Sequence, residues 1–354
     1  GLLKDHGFLS DQYHPVDYSP LVDALSFLTC EIFHQKLNWL NYFDAHNSIV
    51  VILFSIFVGL VYLFTQSMYG RAVGILSALF FAFFPRLVAE AHNNLSDIPL
   101  MFFFFASSAV FYHAVTWENR ARLIASIALF GLAVAAKLNS FFLIFILFPW
   151  MFVHKLLNHQ KFSLAEKRIL AFSPLIAYFS WVAIFPYFWT ADSLADFFPR
   201  QIHSHIFTMI FHEKIIGQAS GWNWSIFLQA FATTPTICIL FFIPGFVVSL
   251  RDFVVKKDSC FVFLFLWLLV PMAKSALPGV KNYEMIRHFM EYIPALVIFS
   301  AIGAQAMFRL AMRIPWLSLR SRLIGAGGGL ALLVSLAYPV YTIHPYEILY
   351  FNSL

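Results

Sequence analysis

Ten runs of this chain are apolar enough to demand a solvent other than water. They lie near residues 47–66, 71–85, 98–116, 120–136, 138–154, 169–189, 225–250, 260–275, 286–308 and 322–343. A helix needs roughly 20 such residues to cross about 30 Å of hydrocarbon, and in lipid only a helix or a closed barrel satisfies its own backbone. Continuous apolar runs rather than alternation favour helices. Composition agrees, because 60% of the 354 residues are hydrophobic and only 12% are charged. Soluble domains carry about 25% charged residues to hold their surface in water. The expected fold is an all-α polytopic membrane protein of about ten transmembrane helices, with short amphipathic helices on its outer face.

Threading the runs through a bilayer sorts the loops into two sets. Loops 67–72, 115–123, 155–168, 250–259 and 309–322 hold 14 basic residues and four acids, leaving 9 of the 23 basic residues and 14 of the 18 acids elsewhere. Short loops rich in Lys and Arg stay cytoplasmic. The net charge of +5 is then explained by sidedness, and nucleic acid is not an expected partner. Both chain ends fall on the outer side. The expected organisation is an outer segment 1–46 with an amphipathic run near 21–34, a membrane domain 47–343 interrupted by an outer loop 190–224, and an outer tail 344–354. The Gly327-Gly328-Gly329 run lies within the last span and suits close helix packing better than phosphate binding.

Polar groups beside a membrane are costly, so their clustering is informative. They gather on the outer side. The second outer loop holds Glu90, His92, Asn93, Asn94, Ser96 and Asp97, and Asp97 before Ile98-Pro99 is well placed as a helix N-cap. Lys137 stands where two spans meet, either snorkelling to headgroups or holding a lipid phosphate. Glu284, Arg287, His288 and Glu291 share one face if the ninth span opens as an α-helix. That face is either an internal Glu–Arg pair or an anion clamp, since Arg matches phosphate bidentately. The tail adds Tyr346 and Glu347.

Metal is a weak reading: His203, His205 and His212 fit no strong ligand spacing, and the three cysteines form no CxxC pair. No cofactor is expected, a divalent metal being the remote alternative. Asn94-Leu-Ser and Asn223-Trp-Ser match the glycosylation acceptor pattern, which is frequent by chance.

Four strings in order carry a family resemblance. They are His92-Asn-Asn-Leu-Ser-Asp97-Ile-Pro-Leu, Gly131-Leu-Ala-Val-Ala-Ala-Lys137, Tyr283-Glu-Met-Ile-Arg287-His288-Phe with Pro294, and His344-Pro-Tyr-Glu347 with Tyr350 and Asn352. The chain resembles the polyprenyl-phosphate-dependent glycosyltransferases of the protein O-mannosyltransferase and aminoarabinose transferase type (glycosyltransferase family 39, fold type C), from about Tyr13 onward. The resemblance implies a sugar carried on a polyprenyl monophosphate and moved to a glycan, lipid or protein acceptor hydroxyl at the outer face. It implies an acidic base and cations that hold the departing phosphate. On that reading Asp97 and Asp17 are the candidate catalytic acids. His92, Asn93, Lys137, Arg287, His288, Tyr346 and Glu347 are the candidate substrate-binding residues. The family normally begins with a further span and an acidic base in the first outer loop, whereas this chain opens at Gly1 inside that loop and ends at Leu354 inside the Tyr-Phe-Asn string, as a fragment would. The subgroup it most resembles often has Lys before the acid, where this chain has Ser96. The expected location is a bacterial plasma membrane with the site facing the periplasm, among membrane lipids and possible partner subunits. A silent accessory subunit and a lipid or solute transporter are the competing readings. Charge-free mid-spans and the lack of a repeat disfavour the transporter.

Overall fold

The computed structural model describes residues 20–184, 221–278, 280, 285–314 and 321–352, and over these the chain is helical with no strand. Asp17, Glu284, His203, His205 and His212 lie outside the described residues.

The first element, α1 (Pro20–Thr29), runs into a π-helical segment, Cys30–Lys36. It buries Val22 and Ser26 while Phe27, Leu28 and Ile32 stay exposed, as expected of a helix lying in a membrane interface. Helix α2 (Tyr42–Tyr69) follows, its start capped by the Asn41 side chain accepting from the Asp44 amide at 2.9 Å. After Gly70, in the left-handed region at φ 87°, comes α3 (Arg71–Ala82). A 61° bend then leads into α4 (Pro85–Asn93), an amphipathic helix that opens on Pro85.

The bundle continues with α5 (Asp97–Thr116) and α6 (Arg120–Ala136), then a 3₁₀ segment (Leu138–Leu143) leading into α7 (Ile144–Leu157), and α8 (Leu164–Ile184). Beyond residue 220 come α9 (Ser225–Thr233), α10 (Thr236–Lys256) and α11 (Cys260–Ala276). A second 3₁₀ segment (Met285–Tyr292) opens α12 (Ile293–Ala311), and α13 (Ser321–Ile343) ends in a short turn at Glu347–Leu349. The apolar run 225–250 is thus two helices. Pro235 has no amide to continue the ladder, and the chain turns there.

Five described helices are long and apolar enough to cross a membrane, or six if the bent pair α3–α4 counts as one. Helix α11 and residues 327–343 are apolar but shorter. All ten apolar runs are predominantly helical over their described residues, while the number of crossings remains the expectation from sequence.

The helices sort their ends as the loop charges require. Ser67 at the end of α2 meets His113 near the end of α5 at 3.1 Å, His154 in α7 meets Ser259 before α11 at 2.7 Å, and buried Lys155 pairs with Glu166 at 2.9 Å. These join the Lys/Arg-rich ends. At the opposite end the start of α5, the end of α6, the start of α12 and the tail come together, with Asn352 donating to the carbonyls of Phe231 and Thr234 at 2.6 and 3.0 Å. The core is aromatic: Tyr112 stacks on Trp150 at 5.0 Å between ring centroids, and Phe263 and Trp267 pack beside them. Close approach is set elsewhere than expected. A side chain at Gly245 or Gly303 would collide with the backbone of the facing helix, so α10 and α12 touch main chain to main chain. Among the described residues nothing lies within 4 Å of where a Cβ would sit at Gly327, Gly328 or Gly329.

Candidate functional site

The site is built at the end of the bundle away from the basic loops, and it starts with a turn. After α4 the backbone at Asn94 is extended, and its side-chain oxygen accepts from the amides of Ser96 and Asp97 at 3.1 and 2.8 Å. Asn94 therefore performs the turn closure that the sequence suggested for Asp97. Helix α5 starts at Asp97 itself, and that carboxylate is free of capping duty. The Asn94 amide nitrogen donates to Glu90 Oε2 at 2.5 Å and to Asp97 Oδ2 at 2.7 Å, tying two carboxylates to one hub. Asn94 is also buried.

Two cations converge on Asp97 from elements distant in sequence. Lys137 ends α6 in extended backbone, and its Nζ reaches Asp97 Oδ1 at 2.5 Å. Its carbonyl is held by the Ser140 amide and hydroxyl at 3.1 and 2.6 Å, which fixes the residue's exit from the helix. Lys137 therefore does not simply snorkel. Arg287 arrives from the 3₁₀ segment, and its Nε donates to Asp97 Oδ2 at 2.7 Å. The asymmetry of exposure matters. The Asp97 side chain is 1% exposed, while Lys137 and Arg287 are 27% and 34% exposed. One buried carboxylate thus orients two cations that are themselves partly exposed.

The shared face expected for Arg287 and Glu291 does not form. The segment is 3₁₀ rather than α, with a non-helical break at Phe289 (φ −144°, ψ 22°), so the two side chains leave in different directions. Arg287 takes Asp97. Glu291 takes Lys274 at 3.0 Å, in a pair only 2% and 6% exposed that is sealed further by Phe142, whose ring centre lies 5.6 Å from the Lys274 nitrogen. Lys274 was not among the expected site residues. A single cation near the end of an apolar run was its one signal. Arg86 was missed likewise: it is buried on α4, and its guanidinium sits 5.7 Å from the Phe351 ring centre.

The other expected residues occupy the same end but not the Asp97 cluster. Glu347 is buried in the turn after α13, with His344 at 2.6 Å, and Tyr346 is exposed. His288 follows Arg287 and is partly buried. His92 donates from Nδ1 to the Val88 carbonyl at 2.6 Å and, with Asn93, faces a separate cavity against α2. Glu90 is 7% exposed, and burial pushes its carboxyl above the usual carboxylate range against the pull of Asn94, Arg287 and Arg86.

Comparison with known proteins follows this geometry. Residues 17–181 match the family described as dolichyl-phosphate-mannose-protein mannosyltransferase. That stretch contains Asp97 and Lys137, and Arg287 lies beyond it. No curated protein sequence matches the chain. Among solved structures, the oligosaccharyltransferase of Archaeoglobus fulgidus in its apo form superposes with a TM-score of 0.61 at 13% identity, covering 94% of this chain and 48% of that one. ArnT from Cupriavidus metallidurans in the apo state superposes with a TM-score of 0.57 at 14% identity, covering 88% of this chain and 52% of that one. The chain thus spans about half the length of these structures. At such identities the likeness is one of fold. The expected resemblance is thus met in sequence over residues 17–181, by the family described as dolichyl-phosphate-mannose-protein mannosyltransferase, and in fold by the likeness to these two solved structures.

Proposed function

We propose that this protein moves a sugar from a polyprenyl-phosphate donor to an acceptor hydroxyl at the outer membrane face. The observation that carries the reading is the triad of Asp97, Lys137 and Arg287, a buried carboxylate holding two cations that are each about a third exposed. In the reaction the acceptor oxygen attacks the anomeric carbon, and the bond from that carbon to the phosphate oxygen breaks. The electron pair leaves with the phosphate. Lys137 and Arg287 would neutralise the charge that grows there, an electrostatic task suited to a water-poor site. Asp97 is too buried and too fully engaged to take the acceptor's proton, so its part is to hold the cations in place. The proton needs another carboxylate, and Asp17 is the candidate the sequence offers.

An apolar cavity supports the lipid half of this reading. It encloses about 470 Å³ between α5, α6, α7 and α8, lined by Phe130, Gly131, Val134, Phe141, Leu147 and Trp181 among others. Val134 lies one turn before Lys137 and Phe141 one turn after it, so an isoprenoid chain seated there would carry its phosphate toward the Lys137 ammonium. The decisive assay is transfer from a radiolabelled polyprenyl-phosphate sugar by the intact protein, with Arg287→Ala and Lys137→Ala beside it. Each variant should lose about 10²–10³ in turnover, as losing one donor to a developing anion does. Undiminished transfer in both overturns the proposal.

A further inference from the structure

Arg86 is an anomaly at this end of the bundle. It lies in the first turn of α4, it is 5% exposed, and its Nε has no hydrogen-bond partner among the described residues. A buried cation is costly unless something offsets its charge. Glu90, one turn along α4, acts on it without forming an ion pair, and so does Tyr292, at the end of the 3₁₀ segment that carries Arg287. Direct cover comes from the tail. Phe351 sets its ring centre 5.7 Å from the guanidinium, within reach of a cation–π attraction that strengthens as the cation is desolvated.

The next residue fixes that ring in place. In a continuing helix the Phe231 carbonyl would receive the amide of residue 235, and Pro235 has none. Asn352 supplies donors at this corner. Its side chain donates to the carbonyls of Phe231 and Thr234 at 2.6 and 3.0 Å, and its backbone amide to that of Ala232 at 2.7 Å. Tyr350 is buried just before the ring, and the Glu347–Leu349 turn packs against α4. The tail thus fastens α4 to the corner between α9 and α10.

We infer that Phe351 and Asn352 are positioning residues for the Asp97 cluster, acting through Arg86 and α4. The route is short. Helix α4 carries Arg86 in its first turn and Glu90 in its last, then runs into Asn94, whose side chain closes the turn and holds Asp97. Asp97 in turn holds Lys137 and Arg287. A shift of α4 therefore moves the carboxylate that orients both cations. Phe351 itself is 52% exposed, so replacing it removes the contact with Arg86 and little of the core.

The hold on α4 stands on this geometry alone, while its effect on turnover rests on the proposed glycosyl transfer. The test compares the parent with Phe351→Leu, Phe351→Tyr and Asn352→Ala, each as the full chain in nanodiscs. Hydrogen exchange and transfer from the polyprenyl-phosphate sugar are read on the same samples. The amides of Asn94, Ser96 and Asp97 report on the turn, because each is hydrogen-bonded within it. Their exchange should quicken about tenfold in Phe351→Leu and Asn352→Ala, as loss of a desolvated cation–π contact or of two hydrogen bonds would allow. Exchange near His113, at the other end of α5, should stay as in the parent. Turnover should fall about tenfold in the same two variants with KM for the donor unchanged. Phe351→Tyr keeps an aromatic face and should match the parent in both. Unchanged exchange at residues 94–97 in Phe351→Leu and Asn352→Ala overturns the inference even where the parent transfers sugar. Faster exchange throughout the bundle, or faster exchange at the turn with full turnover, overturns the positioning role as well. Faster exchange confined to the turn, in a parent that transfers nothing, upholds the hold on α4 and defeats the transfer reading.

Discussion

Two buried carboxylates sit at the same end of this bundle and meet opposite fates. Asp97 is shared by two cations that keep about a third of their side chains in the open, whereas Glu291 is matched one to one with Lys274 and closed off under Phe142. The first arrangement brings two cations to one carboxylate and leaves both partly exposed. The second neutralises itself and offers nothing outward. Burial alone therefore does not separate the two carboxylates, and the exposure of their cationic partners does. Both pairings answer to the 3₁₀ segment Met285–Tyr292, whose break at Phe289 sends Arg287 to Asp97 and turns Glu291 to Lys274.

Removing each carboxylate breaks that comparison most sharply. Asp97→Asn keeps a hydrogen-bonding shape but no longer fixes the two cations, and turnover should fall about 100-fold, as misplacement of positioning groups by roughly 1 Å does. Binding of polyprenyl phosphate should persist, since the cations remain. Glu291→Gln should do the reverse, leaving turnover of the folded protein intact while destabilising the protein by about 3–5 kcal/mol through a stranded Lys274 ammonium. Transfer kinetics and thermal unfolding in the same detergent read both. Equal loss of turnover in the two variants would erase the distinction.

The sealed pair admits a sharper version. A self-neutralising buried pair pays its own desolvation, and well-packed apolar residues of like volume replace such pairs at no cost or with a gain of about 1–4 kcal/mol. The double variant Lys274→Met, Glu291→Leu should therefore unfold at or above the temperature of the parent, although each single variant unfolds well below it. Turnover should be retained. A double variant as damaged as the singles would mean that Lys274 and Glu291 serve something beyond each other. The second oxygen of Glu291, buried with no partner among the described residues, is where that something would act.

Much of this was legible along the chain. The apolar runs gave the helices because lipid permits few alternatives, and the bias of Lys and Arg between loop sets correctly grouped Asp97, Lys137 and Arg287 at one end. Pairings across that end were not legible. Asp97 reads as a cap until Asn94 is seen to close the turn, because an Asx side chain and a capping side chain use the same residue types. Arg287 and Glu291 read as neighbours on an α-helix, and only the tertiary fold shows a 3₁₀ segment in which a spacing of four no longer shares a face. The Gly327–Gly329 run outshone Gly245 and Gly303 in the sequence, yet close packing needs a facing backbone rather than a glycine count.

The smallest effect concerns Glu90, which joins the Asp97 cluster through Asn94 and lies on α4, past the 61° bend that ends α3. Its carboxyl is pushed up by burial, so the folded protein keeps this proton at pH values where the unfolded chain has already released it. Between those two points the unfolded state binds fewer protons, and stability falls as pH rises. The loss begins as pH climbs through the ordinary carboxylate range and is complete above the raised Glu90 value. Glu90→Gln removes the titration while retaining an acceptor for the Asn94 amide. Its unfolding temperature should vary less steeply with pH across that window than the parent's, by less than either single variant of the sealed pair costs. A parent whose stability instead rises with pH there, with the slope lost in Glu90→Gln, would show that Arg86 and Arg287 outweigh burial, and that Glu90 belongs with the anions that organise the clamp.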